Sequence, residues 1–280
     1  MRALLLLVGL LGAAFAGCGE RGAPAGAPRE GVRVVSLSPA MTRTVVDLGC
    51  AGVIVGRTPW CTGVEAPVVG TLLDCDLGRI AALEPHCILV QAAAPGPELA
   101  RFAGDRGARL VVAHVDGLAD IEAMVDAVAG ALRECGLDGV TARRQALKEA
   151  AQEALERART RVAPRAGRWL LLFAADPPGA FGRGTYLGDL WEALGGRNAV
   201  ERTGYPELSL EDIVRLDPEG ILLVRATDGG GASPLSALPA RLRERITVLV
   251  APELLEPSSA FLVEGPGALA RALDPAGMPP

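Results

Sequence analysis

The sequence predicts an α/β protein made of two Rossmann-like lobes with mainly parallel sheets, joined by one long α-helix, with a cleft between the lobes. Three observations predict it. Continuous apolar runs of strand length are each followed by turn residues and a helical pattern, as strands covered on both faces require. One uninterrupted helical pattern occupies the middle of the chain. A motif that precedes this helix, "LGRIAALEPHCILV" (Leu77 to Val90), returns after it as "LEDIVRLDPEGILL" (Leu210 to Leu223).

The chain opens with Arg2, the apolar run "ALLLLVGLLGAAFA" and small residues before Cys18. This is the pattern of an export signal over residues 1–17, too short to span a bilayer comfortably. A Cys directly after Ala16 and Gly17 reads as the acylated first residue of a lipoprotein, with 18–31 as lipid anchor and flexible tether. An ordinary cleaved signal with an incidental Cys is the alternative. Strands are expected at "VRVVSL", "GVIVG", "CILVQ" and "RLVVAHV", which place an N-terminal lobe over 32–137. From Asp138 the spacing of Val140, Leu147, Ala151, Ala154, Leu155, Ala158 and Val162 is helical until Pro164. A linking helix over 138–163 would be about 37 Å long. The C-terminal lobe, 164–280, resumes with "RWLLLFA", "GILLVRA" and "ITVLVAP". Each copy of the repeat reads as a short helix that buries Leu and Ile, stops near proline and feeds a core strand. A second echo, "DLGCAGVIVG" against "ALGGRNAVE", reads as helix end, glycine turn and β entry.

Charge and composition exclude several classes. The formal charge is −5 and no basic run carries interleaved aromatics, so nucleic acid is not an expected partner. "GRGTYLG" lacks the spacing of a dinucleotide fingerprint, and no G-x-S-x-G nucleophile motif occurs. The only two histidines, His86 and His114, have no carboxylate or Cys at ligand spacing, so neither a metal site nor a cofactor is expected. Five cysteines follow Cys18: Cys50, Cys61, Cys75, Cys87 and Cys135. A Cys61 to Cys75 disulfide is expected, closing a loop of about 15 residues for ~3 kcal/mol. Cys87 is expected in the core and Cys135 to be of low reactivity.

"RVVSLSP", "VIVGRTPW", "VGT", the first copy of the repeat, the long helix, "GGRNAV" and the second copy together resemble the solute-binding proteins of ABC importers whose two lobes are joined by a single helix. The resemblance spans Arg33 to Leu273. It implies binding of cobalamin, an iron-siderophore complex or haem, with the cobalamin-binding member as the nearest pattern. It also implies a monomer without catalysis, tethered to the membrane and delivering its solute to an ABC permease.

Ligands of open parallel sheets sit outside the carboxyl ends of the strands. Ser38 and Pro39 are there, as a helix cap and first turn with amides facing outward. Trp60 is the foremost expected ligand contact, from the resemblance and as an apolar anchor on a loop. Arg57 would pair with a carboxylate or phosphate, or else is a solvated surface charge. Thr71 is expected at another strand end, and Phe181, Tyr186 and Tyr205 on loops of the second lobe. Trp169 and Trp191 are expected in the core. The resemblance further implies a permease-docking carboxylate at the second position of each copy of the repeat. Glu211 stands there in the second lobe, but Gly78 stands there in the first, leaving Asp76 and Asp74 nearest. Two other readings remain open: the same fold as a binding or sensory module without transport, and an envelope thiol redox enzyme.

Overall fold

A computed structural model describes residues 31–229 and 233–273. The expected export signal, the Cys18 anchor and the tether up to residue 30 lie outside the described residues. The N lobe contains β1 (Val34–Ser36), α1 (Pro39–Asp47), β2 (Ile54–Arg57), α2 (Leu77–Ala82), β3 (Cys87–Gln91), α3 (Pro97–Arg106), β4 (Arg109–Ala113) and α4 (Leu118–Glu134). Its strands are parallel, in the order β2-β1-β3-β4. The continuous apolar strands are explained by cover on both faces. In β3, Cys87 and Leu89 point into a cluster with α1 and α4, whereas Ile88 and Val90 point into another with Ile80 of α2 and Leu99 of α3.

The linking helix α5 spans Val140–Val162, 23 residues, and so runs about 35 Å. It enters from Gly139 at φ 74°, and a short 3-10 turn containing Pro164 follows its end. Val140, Ala154, Ala158 and Val162 are its buried residues.

The C lobe follows with β5 (Arg168–Ala175), β6 (Pro178–Ala180), α6 (Tyr186–Ala193), β7 (Arg197–Asn198), α7 (Leu210–Leu216), β8 (Gly220–Arg225), α8 (Ala240–Arg243), β9 (Ile246–Val250) and α9 (Ser259–Ala272). Its sheet runs β6-β5-β8-β9, with β7 also paired to β5. Only β6 is antiparallel. Trp191 is fully buried and packs against Trp169, ring centroids 5.3 Å apart, in keeping with the expected core role.

The sequence repeat is a structural repeat. Asp76 caps α2 and Ser209 caps α7, each accepting from the amide three residues on. Among the described residues the only non-glycine positions with positive φ are Glu84 (45°) and Asp217 (39°), both directly before the proline of the repeat. The helix-ending carbonyls of Leu83 and Leu216 each accept from an arginine at the start of the neighbouring strand, Arg33 and Arg168. One local solution therefore stops a helix and starts a central strand in both lobes.

The lobes are not independent. One apolar cluster runs from Val34 and Met41 through Val140 and Val162 to Trp191 and Phe261. Helix α9 packs along α5 and against α1. Polar stitches reinforce the seam: Arg43 to Glu264 at 2.8 Å, and the Ser259 hydroxyl to Asp47 at 2.7 Å. A shared core and these bonds restrict any closure to a small hinge motion.

Candidate functional site

In both sheets the chain reverses its direction of spread at an inner strand pair. In the N lobe the pair is β1 and β3, and in the C lobe it is β5 and β8. Such switch points leave a crevice at the carboxyl ends. The carboxyl rims meet at the lobe seam, as contacts across it show. The 114–118 loop, at the end of β4, meets α6: the Leu118 amide donates to Asp189 Oδ2 at 3.0 Å. A carboxylate of one lobe thus caps a 17-residue helix of the other. Behind the rim, the N-terminus of α9 lies against the middle and the carboxyl end of α1, at Thr44 and Asp47.

Ser38 lies at the first switch point. Its backbone is extended (φ −136°), so its Oγ accepts from the Met41 amide at 3.2 Å while donating to Gln91 Oε1, at the end of β3, at 3.0 Å. Ser38 is only 2% exposed, so it braces the crevice floor, and Gln91 is the more accessible polar group. Pro39 forms the first turn of α1 and is half-buried. Trp60, on the loop after β2, is 63% exposed; the next residue, Cys61, anchors the loop through its thiol, which bonds to the Thr58 hydroxyl (3.1 Å) and reaches the Ser36 carbonyl (3.8 Å).

Two expected N-lobe contacts have local duties. The Arg57 guanidinium donates to the carbonyls of Ala66, Thr58 and Cys61, so it holds the 58–66 loop closed. Thr71 is half-buried and ties a turn, its hydroxyl accepting from the Asp74 amide at 3.1 Å. The expected Cys61 to Cys75 disulfide is not formed: both are free thiols. Cys61 is buried with Thr58 and the Ser36 carbonyl as polar partners, while Cys75 packs in the cluster on the other side of the sheet from α1 and α4. An irregular stretch in the sequence did not mean proximity in space.

The C-lobe aromatics do come together, but not all on the surface. Phe181 (1% exposed) and Tyr186 (5% exposed) belong to the core rather than to an open loop, correcting their expected role as direct contacts. The cause is edge-to-face packing: Phe181 on Tyr186 at 5.5 Å, and Tyr186 on Phe261 at 5.0 Å. Tyr205 (42% exposed) rests on Phe181 at 5.9 Å and on Phe173 at 6.0 Å, at the outer end of this stack.

Phe173 itself was missed, because it sits inside an apolar strand pattern. An irregularity in the β5 to β6 pairing falls between Leu172 and Ala174, and Phe173 stands out, 36% exposed. Gly179 makes room for its ring: a Cβ there would lie 2.5 Å from it. The only sequence signal was its place near the carboxyl end of the strand, before "AADPPG".

The floor between the lobes is acidic. Burial, together with Asp116, Asp189 and Asp120, pushes the Tyr205 phenol up to about 12, so it stays a neutral hydrogen-bond donor. Asp120 is engaged by the amides of Asp116 (3.1 Å) and Gly117 (2.9 Å). His114 Nε2 lies 2.9 Å from Asp116 Oδ2, so this exposed histidine does have a carboxylate partner, contrary to the sequence expectation. His86, by contrast, accepts from the Arg33 amide through Nδ1. Among the described residues no group of three or more His, Cys, Asp or Glu side chains is placed to hold a metal ion.

A family model described as "Periplasmic binding protein" matches residues 34–234, most of the chain. The chain belongs to the periplasmic binding protein family. A search of curated proteins returned no match. Solved structures with the same fold include the apo form of the periplasmic heme-binding protein RhuT from Roseiflexus sp. RS-1, 23% identical, covering 87% of this chain and 100% of its own, TM-score 0.68. The periplasmic vitamin B12 binding protein BtuF of Vibrio cholerae is 20% identical, with 86% and 98% covered and a TM-score of 0.64. The siderophore binding protein FhuD from Vibrio cholerae, bound to Fe3+-Desferal, is 19% identical, with 87% and 98% covered and a TM-score of 0.66. At these identities the likeness carries the fold of this binding protein, and it does not single out the cobalamin binder. The family is extracytoplasmic, and among the described residues no helix is long and apolar enough to cross a membrane.

Proposed function

We propose that this periplasmic binding protein is the extracytoplasmic, lipid-anchored component of an ABC import system, and that it captures a corrinoid or an iron chelate between its lobes. It acts by binding and release alone. The observation that carries the reading is the pairing of two carboxyl rims with accessible aromatics on both: Trp60 on one lobe, Tyr205 and Phe173 on the other. Flat apolar surfaces with few polar groups suit a large, partly apolar solute. Gln91, His114 and the neutral Tyr205 phenol offer hydrogen bonds to amide or carboxylate edges. Any cobalt or iron belongs to the solute and not to a resident cofactor.

Docking to the permease is assigned to Glu211, exposed on the first turn of α7, and to Asp76. Asp76 is the weaker of the two, because its carboxylate already accepts from the Arg79 amide at 2.8 Å and pairs with the Arg79 side chain. With Gly78 at the position Glu211 occupies in the other lobe, a binding or sensory module without transport is the second reading.

The test is the visible spectrum of the protein purified from its own host, followed by titration of the stripped protein with haemin, cobalamin and ferrioxamine. A corrinoid or iron-chelate band, or saturable binding of one of these, is expected. A colourless protein that binds none of the three refutes the solute class. A protein that binds its solute normally but whose loss leaves uptake unchanged establishes the second reading.

A further inference from the structure

We infer that Cys87 and Cys135 form a redox-active dithiol that closes to a disulfide between the central strand of the N lobe and the end of α4. The placement follows from two periodicities that meet. Along α4, Ile121, Met124, Val125, Val128, Ala131 and Leu132 face the sheet, and Cys135 is the next position of that stripe, one turn beyond Ala131 and Leu132. It is the C-cap of the helix, held by its amide on the Ala131 carbonyl (3.0 Å) before Gly136 turns the chain at φ 88°. Along β3, Cys87 is the first residue, on the face that carries Leu89 toward α1 and α4. Since α4 returns antiparallel to the strands, its last inward residue lies over the first inward residues of β3 and β4.

Arg109 marks the same spot. It is the register partner of Cys87 across β3 and β4, and its guanidinium pairs with Glu134, the neighbour of Cys135. Cys87 belongs to the apolar cluster against which Cys135 packs. The two thiols also feel each other electrostatically: burial pushes Cys87 up to about 12, Cys135 adds to this, and Arg109 opposes it. Both are free in the structure.

The two positions give unequal roles. Cys87 is fully buried, whereas Cys135 is partly exposed; burial raises the Cys135 thiol and Arg109 opposes that rise, so Cys135 is the thiol an oxidant reaches first. With a low-molecular-weight disulfide such as oxidised glutathione as oxidant, the Cys135 thiolate attacks one sulfur, forming a mixed disulfide and expelling one glutathione thiolate. Cys87 then gives up its proton and attacks the Cys135 sulfur, expelling the second glutathione thiolate. Two protein thiols are oxidised to one disulfide, and one glutathione disulfide is reduced to two thiols. The bridge would anchor the carboxyl end of α4, whose amino end is already held by Asp189 of the other lobe. This goes beyond solute binding and does not depend on which solute is bound.

The test is peptide mapping of the full chain after incubation with oxidised glutathione, unfolding and alkylation. Trypsin releases Cys87 in the peptide Ile80 to Arg101 and Cys135 in Glu134 to Arg143, each with a single cysteine. The expected product joins these two peptides and is lighter than their sum by two hydrogens. Cys50→Ala keeps the joined peptide. Cys135→Ala abolishes it, leaves Cys87 alkylated only after unfolding, and removes the gain in melting temperature that oxidation gives the parent chain. Recovery of both peptides singly alkylated, of Cys135 carrying glutathione that is never displaced, or of Cys135 joined to Cys50 overturns the inference. Arg109→Gln is expected to slow closure several-fold without changing its product, and an unchanged rate removes Arg109 from the mechanism.

Discussion

Replacing Trp60 by alanine tests whether the rim of the N lobe is the solute site. A tryptophan side chain offers on the order of 200 Å² of contact area. Trp60 is 63% exposed, so well over half of that area faces solvent, and a flat solute that covers most of it would remove roughly 80–100 Å² of apolar surface from water. At about 25 cal/mol per Å² this is about 2 kcal/mol, or roughly 30-fold in Kd. Folding should hardly notice, since surface positions away from caps and cores usually change stability by about 0.5 kcal/mol or less. Two readouts separate the effects: absorbance titration with the solute that the parent protein binds, and a urea melt of the apo forms. Quenching of tryptophan fluorescence adds a third, because Trp191 is buried and packed against Trp169 while Trp60 alone is largely open. A variant that binds the same solute within twofold of the parent, with an unchanged urea midpoint, removes this rim from the site. A variant that loses a large fraction of its stability shows that Trp60 is a structural residue.

Further outcomes follow from the same geometry. Asp189→Ala deletes the cap that one lobe places on α4 of the other, and should cost about 1–2 kcal/mol in a denaturant melt; Asp189→Asn, which keeps an acceptor, should cost less. Glu84→Gly should stabilise by roughly 0.5–1 kcal/mol, because relief of a left-handed backbone outweighs the extra entropy of glycine. Asp217→Gly should gain less, because it also removes the pairing of Asp217 Oδ1 with Arg245 at 3.1 Å; an equal gain at both positions means that this pair contributes nothing. For Tyr205, a folded-state value of about 12 lies above the unfolded value near 10. The associated stability is therefore complete below about pH 10 and lost as pH rises toward 12, and Tyr205→Phe should flatten that part of the stability profile. For Glu256, burial raises its pKa against the opposing pull of Arg43, so its charged form opposes folding at neutral pH. Glu256→Gln should raise the melting temperature at pH 7 and have less effect near pH 4; the reverse order refutes the assignment.

The sequence by itself determined the two-lobe plan. Continuous apolar strands, the helical spacing from Val140 to Val162 and the internal repeat are local properties, and local properties survive folding unchanged. The repeat even specified a detail below the level of elements, since Glu84 and Asp217 adopt the same unusual turn. Ser38, Trp60 and Tyr205 were legible because strand ends and loops can be read from turn residues.

What only the tertiary structure decided is which side chains share a surface. Phe181 and Tyr186 look like loop residues in one dimension, yet become core because Phe261, far along the chain, closes over them. Phe173 looks like core, yet a strand irregularity turns it outward. Arg57 looks like a ligand for anions, yet three nearby carbonyls engage its Nε and Nη1. Cys61 and Cys75 are near in sequence but packed apart, while Cys135, distant in sequence from Cys87, packs against the cluster that holds Cys87. The physical reason is common to all four cases: secondary structure is set by backbone sterics and periodicity within a few residues, but burial and partnership are set by which faces the long-range packing of helices and sheets brings together.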